Sequence, residues 1–258
     1  MTLEADISNA QIYYFPPCGF GFWYLLGIYE VIKNQKNSIL IGASAGSLIC
    51  VCSLLKKEDL INNVIKCANE TKEEYINNKK TFFYNFYNIT YLFIDKLFKY
   101  IDRENLEYNL KKIRIQTTEV SGLTYIVKHQ IEAKTLEHLR ELVLASCYIP
   151  LLSNYNNLLY YIVDGKKMCD GIIVDLYIKN MYTTFDVSKY KSLSYLLIIP
   201  SNTTIMNMYN NGVNDGLLYK KQLNNSEPIN LLLIPYNYYL FISFFIFLYY
   251  FYTTFKIF

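Results

Sequence analysis

Histidine is nearly missing from this chain: 258 residues contain two, His129 and His138, and none follows His138. A Ser-His-acid triad in the usual α/β-hydrolase order needs its histidine near the C-terminal end of the sheet, so the scarcity argues against that chemistry. His129 closes a strand-like run and His138 sits among Glu137, Arg140 and Glu141. Both read as ordinary polar residues. Patterned cysteine is missing as well. Cys18, Cys50, Cys52, Cys67, Cys147 and Cys169 show neither zinc-ribbon spacing nor a small-domain disulfide framework. Three lie in apolar runs, where a free cysteine acts as a small hydrophobe, and a reducing compartment is the simplest expectation. The net charge of +3 is too small to argue for nucleic acid, and no basic block interleaved with aromatics appears. Met1 to Ala10 is polar and acidic without an apolar core, so no cleaved signal peptide is expected.

Aromatic residues are abundant, with 27 Tyr and 16 Phe. Together with plentiful Asn, Ile and Lys, they read as coding bias rather than a functional signal. A hydrophobic fraction of 52% and a charged fraction of 18% are near globular values. The length suits one large domain with a core that needs no disulfides.

Gln11 to Phe15 reads as a short strand entering the Pro16-Pro17-Cys18-Gly19 turn, and Phe22 to Lys33 has apolar residues at helical spacing. Ser38 to Ile41 is a buried-strand run stopping at Gly42, and Ser44 to Leu55 continues as an apolar helix closed by Lys56 and Lys57. Glu58 to Tyr75 and Thr81 to Tyr100 are expected helices, broken at Asn77-Asn78-Lys79-Lys80. Ile113 to Val120 and Leu123 to His129 form an expected hairpin around Ser121-Gly122, followed by a helix over Thr135 to Cys147. Leu159 to Val163 and Lys166 to Cys169 flank Asp164-Gly165, a two-residue turn signal, and Leu193 to Pro200 is a further buried strand. Strands alternating with helices predict an α/β domain with a mostly parallel sheet.

One motif carries chemistry. Gly42-Ala43-Ser44-Ala45-Gly46 matches G-x-S-x-G, between the strand candidate Ile39-Leu40-Ile41 and the helix opening at Ser47. A sharp strand-to-helix turn there holds the serine hydroxyl clear of the sheet, beside helix-terminal amides that favour developing negative charge. A tight strand-to-helix turn without chemistry, or a phosphate-binding turn, fits the same pattern. With no suitable histidine, a nucleophilic Ser44 needs a carboxylate base.

Two further elements follow in order: Ala145-Ser146-Cys147-Tyr148-Ile149-Pro150, and Cys169-Asp170-Gly171-Ile172-Ile173-Val174-Asp175. With the elbow, and with Cys18-Gly19-Phe20 after the first strand, they make the chain from about Ile12 to Pro200 resemble the patatin-like phospholipases, with a loop similar to the adiponutrin type. The resemblance implies a three-layer α/β fold with a mostly parallel central sheet flanked by helices. It implies a Ser-Asp dyad of Ser44 as nucleophile and Asp170 as proton acceptor, next to Gly171. It also implies an elbow bounded by Gly42 and Gly46, and an oxyanion hole from the amides of Cys18, Gly19 and Phe20. Neither metal nor organic cofactor is implied, and the substrate class is a phospholipid, lysophospholipid or acylglycerol. Of the two Asp-Gly pairs, Asp164-Gly165 suits the hairpin turn, which leaves Asp170 for catalysis.

The oxyanion loop departs from the family pattern Gly-x-Gly-x-x-Gly. Pro17 stands at its first glycine and Phe22 at its last, and a proline has no N–H to give. The alternative reading is therefore a catalytically impaired relative that binds lipid or a partner protein at a membrane. From Leu231 to Tyr252 no residue is charged, about the length that crosses a hydrocarbon core. The expected organisation is a phospholipase-like domain over residues 1–228 and a hydrophobic C-terminal segment over 229–258. That segment would hold an intracellular protein at a membrane surface. A buried helix or strand pair, split near Pro235, is the competing account.

Overall fold

The apolar runs between Gln11 and Ala43 form two parallel strands joined by a helix. The computed structural model of the chain describes residues 10–35, 37–77, 86–121, 124–149, 160–171, 183–185, 187 and 200–224. β1 (Gln11–Phe15) ends at Pro16-Pro17 and leads through a short 3₁₀ turn (Gly19–Gly21) into α1 (Phe22–Ile32). β2 (Ser38–Ala43) lies parallel to β1, in register Gln11 with Ser38 and Phe15 with Gly42. Four helices follow: α2 (Ala45–Cys52), α3 (Leu60–Asn77), α4 (Phe86–Lys99) and the single-turn α5 (Leu106–Leu110). They return the chain to β3 (Ile113–Ser121), parallel to β2.

β4 (Thr124–Glu132) folds back antiparallel on β3, and α6 (Leu136–Ser146) follows. The hairpin of β5 (Tyr161–Val163) and β6 (Lys166–Asp170) comes next, then the two-residue β7 (Thr183–Thr184), parallel to β1, and α7 (Asn202–Asn224). Among the described residues seven strands make one sheet in the order β5-β6-β3-β2-β1-β7, with β4 also on β3. Its centre, β7-β1-β2-β3, is parallel, and the antiparallel strands gather at the β3 end. The expected α/β architecture with a mostly parallel central sheet flanked by helices is what is found.

Period-two alternation sorts the strands. Tyr13, Phe15, Leu40, Ile113 and Ile115 join the helices in the main core, while Tyr14, Ile39 and Ile41 form a smaller cluster on the opposite face. Both faces are buried, as a parallel sheet between layers requires. Arg140 on α6 ties α4 to the core: its Nε and one terminal nitrogen donate to Asp95 at 2.9 and 2.7 Å, and its guanidinium lies over the Tyr91 ring.

Boundaries shift in instructive ways. Ser44 is not helical but stands in the turn before α2. The helix expected from Glu58 starts at Leu60 and runs to Asn77. α7 corresponds to no sequence expectation. Its buried stripe of Ile205, Met208, Tyr209, Gly212 and Gly216 lies among asparagines, and two of its members are glycines of poor helix propensity. Those glycines have a reason. A Cβ on Gly212 would stand 2.0 Å from the Tyr24 carbonyl, and one on Gly27 would stand 2.1 Å from that of Tyr209, so α1 and α7 meet backbone to backbone. The Tyr24 hydroxyl adds a 2.7 Å bond to Asp215. The strand expected over Leu193 to Pro200 falls almost wholly outside the described residues, as does the segment 229–258. Among the described residues no helix is long and apolar enough to cross a membrane.

All six cysteines are reduced and buried. Burial pushes the Cys67 and Cys147 thiols and the Tyr13 phenol up to about 12. Because these groups are neutral in the fold and ionise more easily when unfolded, their contribution is complete below the unfolded thiol range and is lost as pH rises toward 12. Thermal melts between pH 8 and pH 11 are expected to show a falling midpoint. Native protein should also react with a thiol reagent only after denaturant is added. Rapid labelling of the native protein, or a flat alkaline limb, would contradict this packing.

Candidate active site

The site is assembled along β3. One edge of this strand pairs with β4 from Arg114 to Ser121. The other edge is shared: β2 runs parallel to Ile113–Gln116, and β6 runs antiparallel to Thr117–Glu119. Ala43 is therefore opposite Gln116 and Asp170 opposite Thr117. Two consecutive residues of one strand, about 3.3 Å apart along it, bring the ends of β2 and β6 head to head. Ser44 follows Ala43, and its Oγ donates to Asp170 Oδ2 at 2.7 Å.

Ser44 has φ 51° and ψ −126°, a conformation that side-chain-bearing residues rarely adopt. Such a backbone costs on the order of 1–3 kcal/mol and persists only where its surroundings hold it. Three bonds do so. The Ser44 carbonyl accepts the Ser47 amide at 2.8 Å and the Ser47 hydroxyl at 2.5 Å, and the Ser44 amide donates to Ser146 Oγ at 2.8 Å. The flanking glycines allow the turn to close. A Cβ on Gly42 would meet the Gly46 carbonyl oxygen at 2.4 Å, and one on Gly46 would meet the Phe15 carbonyl oxygen at 2.0 Å.

Asp170 is 2% exposed, whereas Ser44 keeps partial access to solvent. The Asp170 amide donates to the Tyr148 carbonyl at 2.9 Å, and its own carbonyl accepts from the Thr118 hydroxyl at 3.0 Å. Gly171 packs close to β3, because a Cβ there would stand 2.5 Å from the Gln116 carbonyl oxygen. Gln116 Nε2 donates to that glycine's carbonyl at 3.0 Å. Burial, and then the neighbouring Asp170, push the Cys147 thiol up to about 12, and the same two causes raise Cys169. Both sulfurs beside the carboxylate stay protonated.

The loop after β1 lies against the elbow, since the Phe15 and Pro16 carbonyls are what a Gly46 Cβ would strike. Gly19 has φ 54°, which its missing side chain permits. The Gly21 amide closes the turn on the Cys18 carbonyl at 2.9 Å. The first amides of such a turn, those of Gly19 and Phe20, have no acceptor within it, and neither do those of Ala45 and Gly46 at the start of α2. Cys18 is fully buried.

The other Asp-Gly pair is elsewhere. Asp164 and Gly165 have φ 50° and 74° and turn the β5–β6 hairpin, the geometry of a type I′ turn. The histidines are engaged away from the elbow. His129 Nε2 is 2.6 Å from Glu119 Oε2, and β3 separates His129 from Asp170, roughly 10 Å at two strand spacings. His138 Nδ1 accepts the Lys134 amide at 3.1 Å, and its Nε2 is 3.4 Å from Asp164.

Sequence reasoning missed two participants. Ser146 belongs to the Ala-Ser-x-x-Ile-Pro element but had no role assigned to it, and Gln116 carried no signal at all in its strand. Pro150, Ile172, Ile173, Val174 and Asp175 of the quoted motifs lie outside the described residues.

No curated protein matches the chain. The family model described as patatin-like phospholipase matches residues 18–176, more than half of the chain and inclusive of Cys18-Gly19-Phe20, the elbow, Ser146 and Asp170. The chain thus belongs to the patatin-like phospholipase family, whose members are lipid acyl hydrolases.

Proposed function

We propose that the protein hydrolyses carboxylic esters of phospholipids, lysophospholipids or acylglycerols through a Ser44–Asp170 dyad and an acyl-enzyme. The observation that carries this reading is the 2.7 Å bond from Ser44 Oγ to Asp170 Oδ2, made from a strained turn at a helix N-terminus. As Ser44 Oγ attacks the ester carbonyl, its proton passes to Asp170. The carbonyl oxygen becomes the oxyanion, for which the amides of Cys18, Gly19 and Phe20 are the proposed donors. Collapse breaks the ester C–O bond, and the leaving alkoxide takes the proton from Asp170. Water then attacks the acyl-enzyme with Asp170 as base, the bond from the acyl carbon to Ser44 Oγ breaks, and Ser44 Oγ takes the proton back from Asp170 as the fatty acid leaves. Pro17 supplies no amide to the loop, and one lost donor typically lowers kcat a hundred- to a thousandfold, so turnover is expected to be slow. Residues 1–228 are the proposed catalytic domain, and 229–258 the proposed attachment of an intracellular enzyme to its membrane substrate.

The test is hydrolysis of a fluorogenic phospholipid and a p-nitrophenyl ester by wild type and Asp170→Asn. Wild-type turnover that falls a thousandfold or more in the variant, with an unchanged fold by circular dichroism, is the expected result. Equal rates in the two proteins would remove Asp170 from the reaction. An inactive wild type that still binds vesicles would favour the impaired, lipid-binding alternative.

A further inference from the structure

We infer that Ser146 is a positioning residue that holds the Ser44 nucleophile in its attacking geometry, an inference that rests on the dyad proposed above. Ser146 is fully buried at the C-terminal end of α6. Its hydroxyl makes two bonds, to the Ser44 amide at 2.8 Å and to the Gln116 carbonyl at 2.7 Å. Their directions are forced. A backbone N–H can only donate and a carbonyl only accept, so the single hydroxyl proton goes to Gln116 and a lone pair faces Ser44.

The bond therefore links the strained residue, through Ser146, to β3, a strand paired along both edges. Gln116 is paired with Ala43 on β2, and its side chain holds the Gly171 carbonyl beside Asp170. Ser146 links the peptide amide of the nucleophile to the same residue that ties down the Asp-Gly element. Both reacting groups are thereby referred to one point on β3. A second consequence concerns charge. With its amide committed to Ser146, Ser44 has no N–H of its own to offer an oxyanion, so the donors must come from the loop or from the start of α2.

Removing the hydroxyl leaves a buried amide without its acceptor and frees the strained φ of Ser44 to relax. Both effects move Oγ away from Asp170 Oδ2, and misplacement of a reacting atom by about 1 Å can lower a rate roughly a hundredfold. A merely structural serine would instead lower stability while leaving the reactivity of the folded fraction alone.

The experiment separates these outcomes. The full chain and its Ser146→Ala, Ser146→Thr and Ser44→Ala variants are treated with a fluorophosphonate probe, following the rate constant and the final extent of labelling, beside thermal melts. The expected result is labelling at Ser44 in the wild type, with a rate constant roughly ten- to a hundredfold lower in Ser146→Ala and restored to within a few-fold by Ser146→Thr. Should Ser146→Ala not fold, the same order is read between Ser146→Thr and Ser146→Cys, whose sulfur is a weak acceptor. A Ser146→Ala protein that labels at the wild-type rate overturns the inference while leaving the dyad standing, even if its melting point or labelled fraction drops. A wild type that does not label at Ser44 overturns the dyad, and with it any nucleophile for Ser146 to position.

Discussion

Ser44→Ala and Ser44→Gly are both expected to lose hydrolysis by roughly 10⁴-fold or more, and the glycine variant is expected to melt above the alanine variant. The activity loss follows from removing the hydroxyl that donates to Asp170 at 2.7 Å. The order of stability is the less obvious part. In an ordinary helix or strand, glycine is less stable than alanine by about 0.5–1 kcal/mol because it surrenders more backbone freedom. At Ser44 the backbone has φ 51° and ψ −126°, where a Cβ costs on the order of 1–3 kcal/mol. The second effect is larger, so the usual order inverts. Both variants lose the same hydroxyl, and their difference isolates the backbone term. A gap of about 1 kcal/mol corresponds to roughly 2–4 °C in a domain of this size. If the alanine variant melts at or above the glycine variant, the elbow stores no strain and the geometric argument for activation fails.

Gly46→Ala is expected to prevent folding or to remove most of the stability. A Cβ at this position would lie 2.0 Å from the Phe15 carbonyl oxygen, 2.6 Å from its carbon and 2.9 Å from the Pro16 carbonyl oxygen. All three are backbone atoms, so no rotamer change relieves the clash. Either α2 moves away from β1 or the loop after β1 moves away from the elbow. Losses above about 4–5 kcal/mol are unusual for point changes and arise from such close approaches. They compare with total stabilities of about 5–15 kcal/mol. Gly165→Ala is the control. It has φ 74° but nothing within 4 Å of its Cβ, so only the conformational penalty of about 1–2 kcal/mol applies. Urea denaturation of the two variants would measure the contrast. A Gly46→Ala protein that unfolds within about 1 kcal/mol of the Gly165→Ala protein would mean that the loop does not press on the elbow.

Much of the site is legible in the sequence. Glycines at positions 42 and 46 around a serine, between a strand-like run and a helix-like run, announce a turn that only small neighbours permit. The missing late histidine pointed to a carboxylate. Asp164-Gly165 between two β-rich runs identified itself as a turn, which left Asp170 as the other Asp-Gly candidate. Each inference is local, because the physical cause lies within a few residues of the signal. α7 was illegible for the opposite reason. Its glycines at positions 212 and 216 weaken the helix in isolation, and they make sense only once α1 is there to receive them.

By itself the sequence determined the local geometry and the family: the strained elbow, the hairpin turn and the order of motifs along the chain. Only the tertiary structure decided which distant groups meet. Ser44 and Asp170 are 126 positions apart, and nothing in either segment encodes the other's whereabouts. Their encounter depends on β2 and β6 taking consecutive stretches of the same edge of β3, with Ser146 and Gln116 bonded across the join. Register between strands is a property of the whole sheet, set by the packing of both buried faces at once, and so it is written in no single segment.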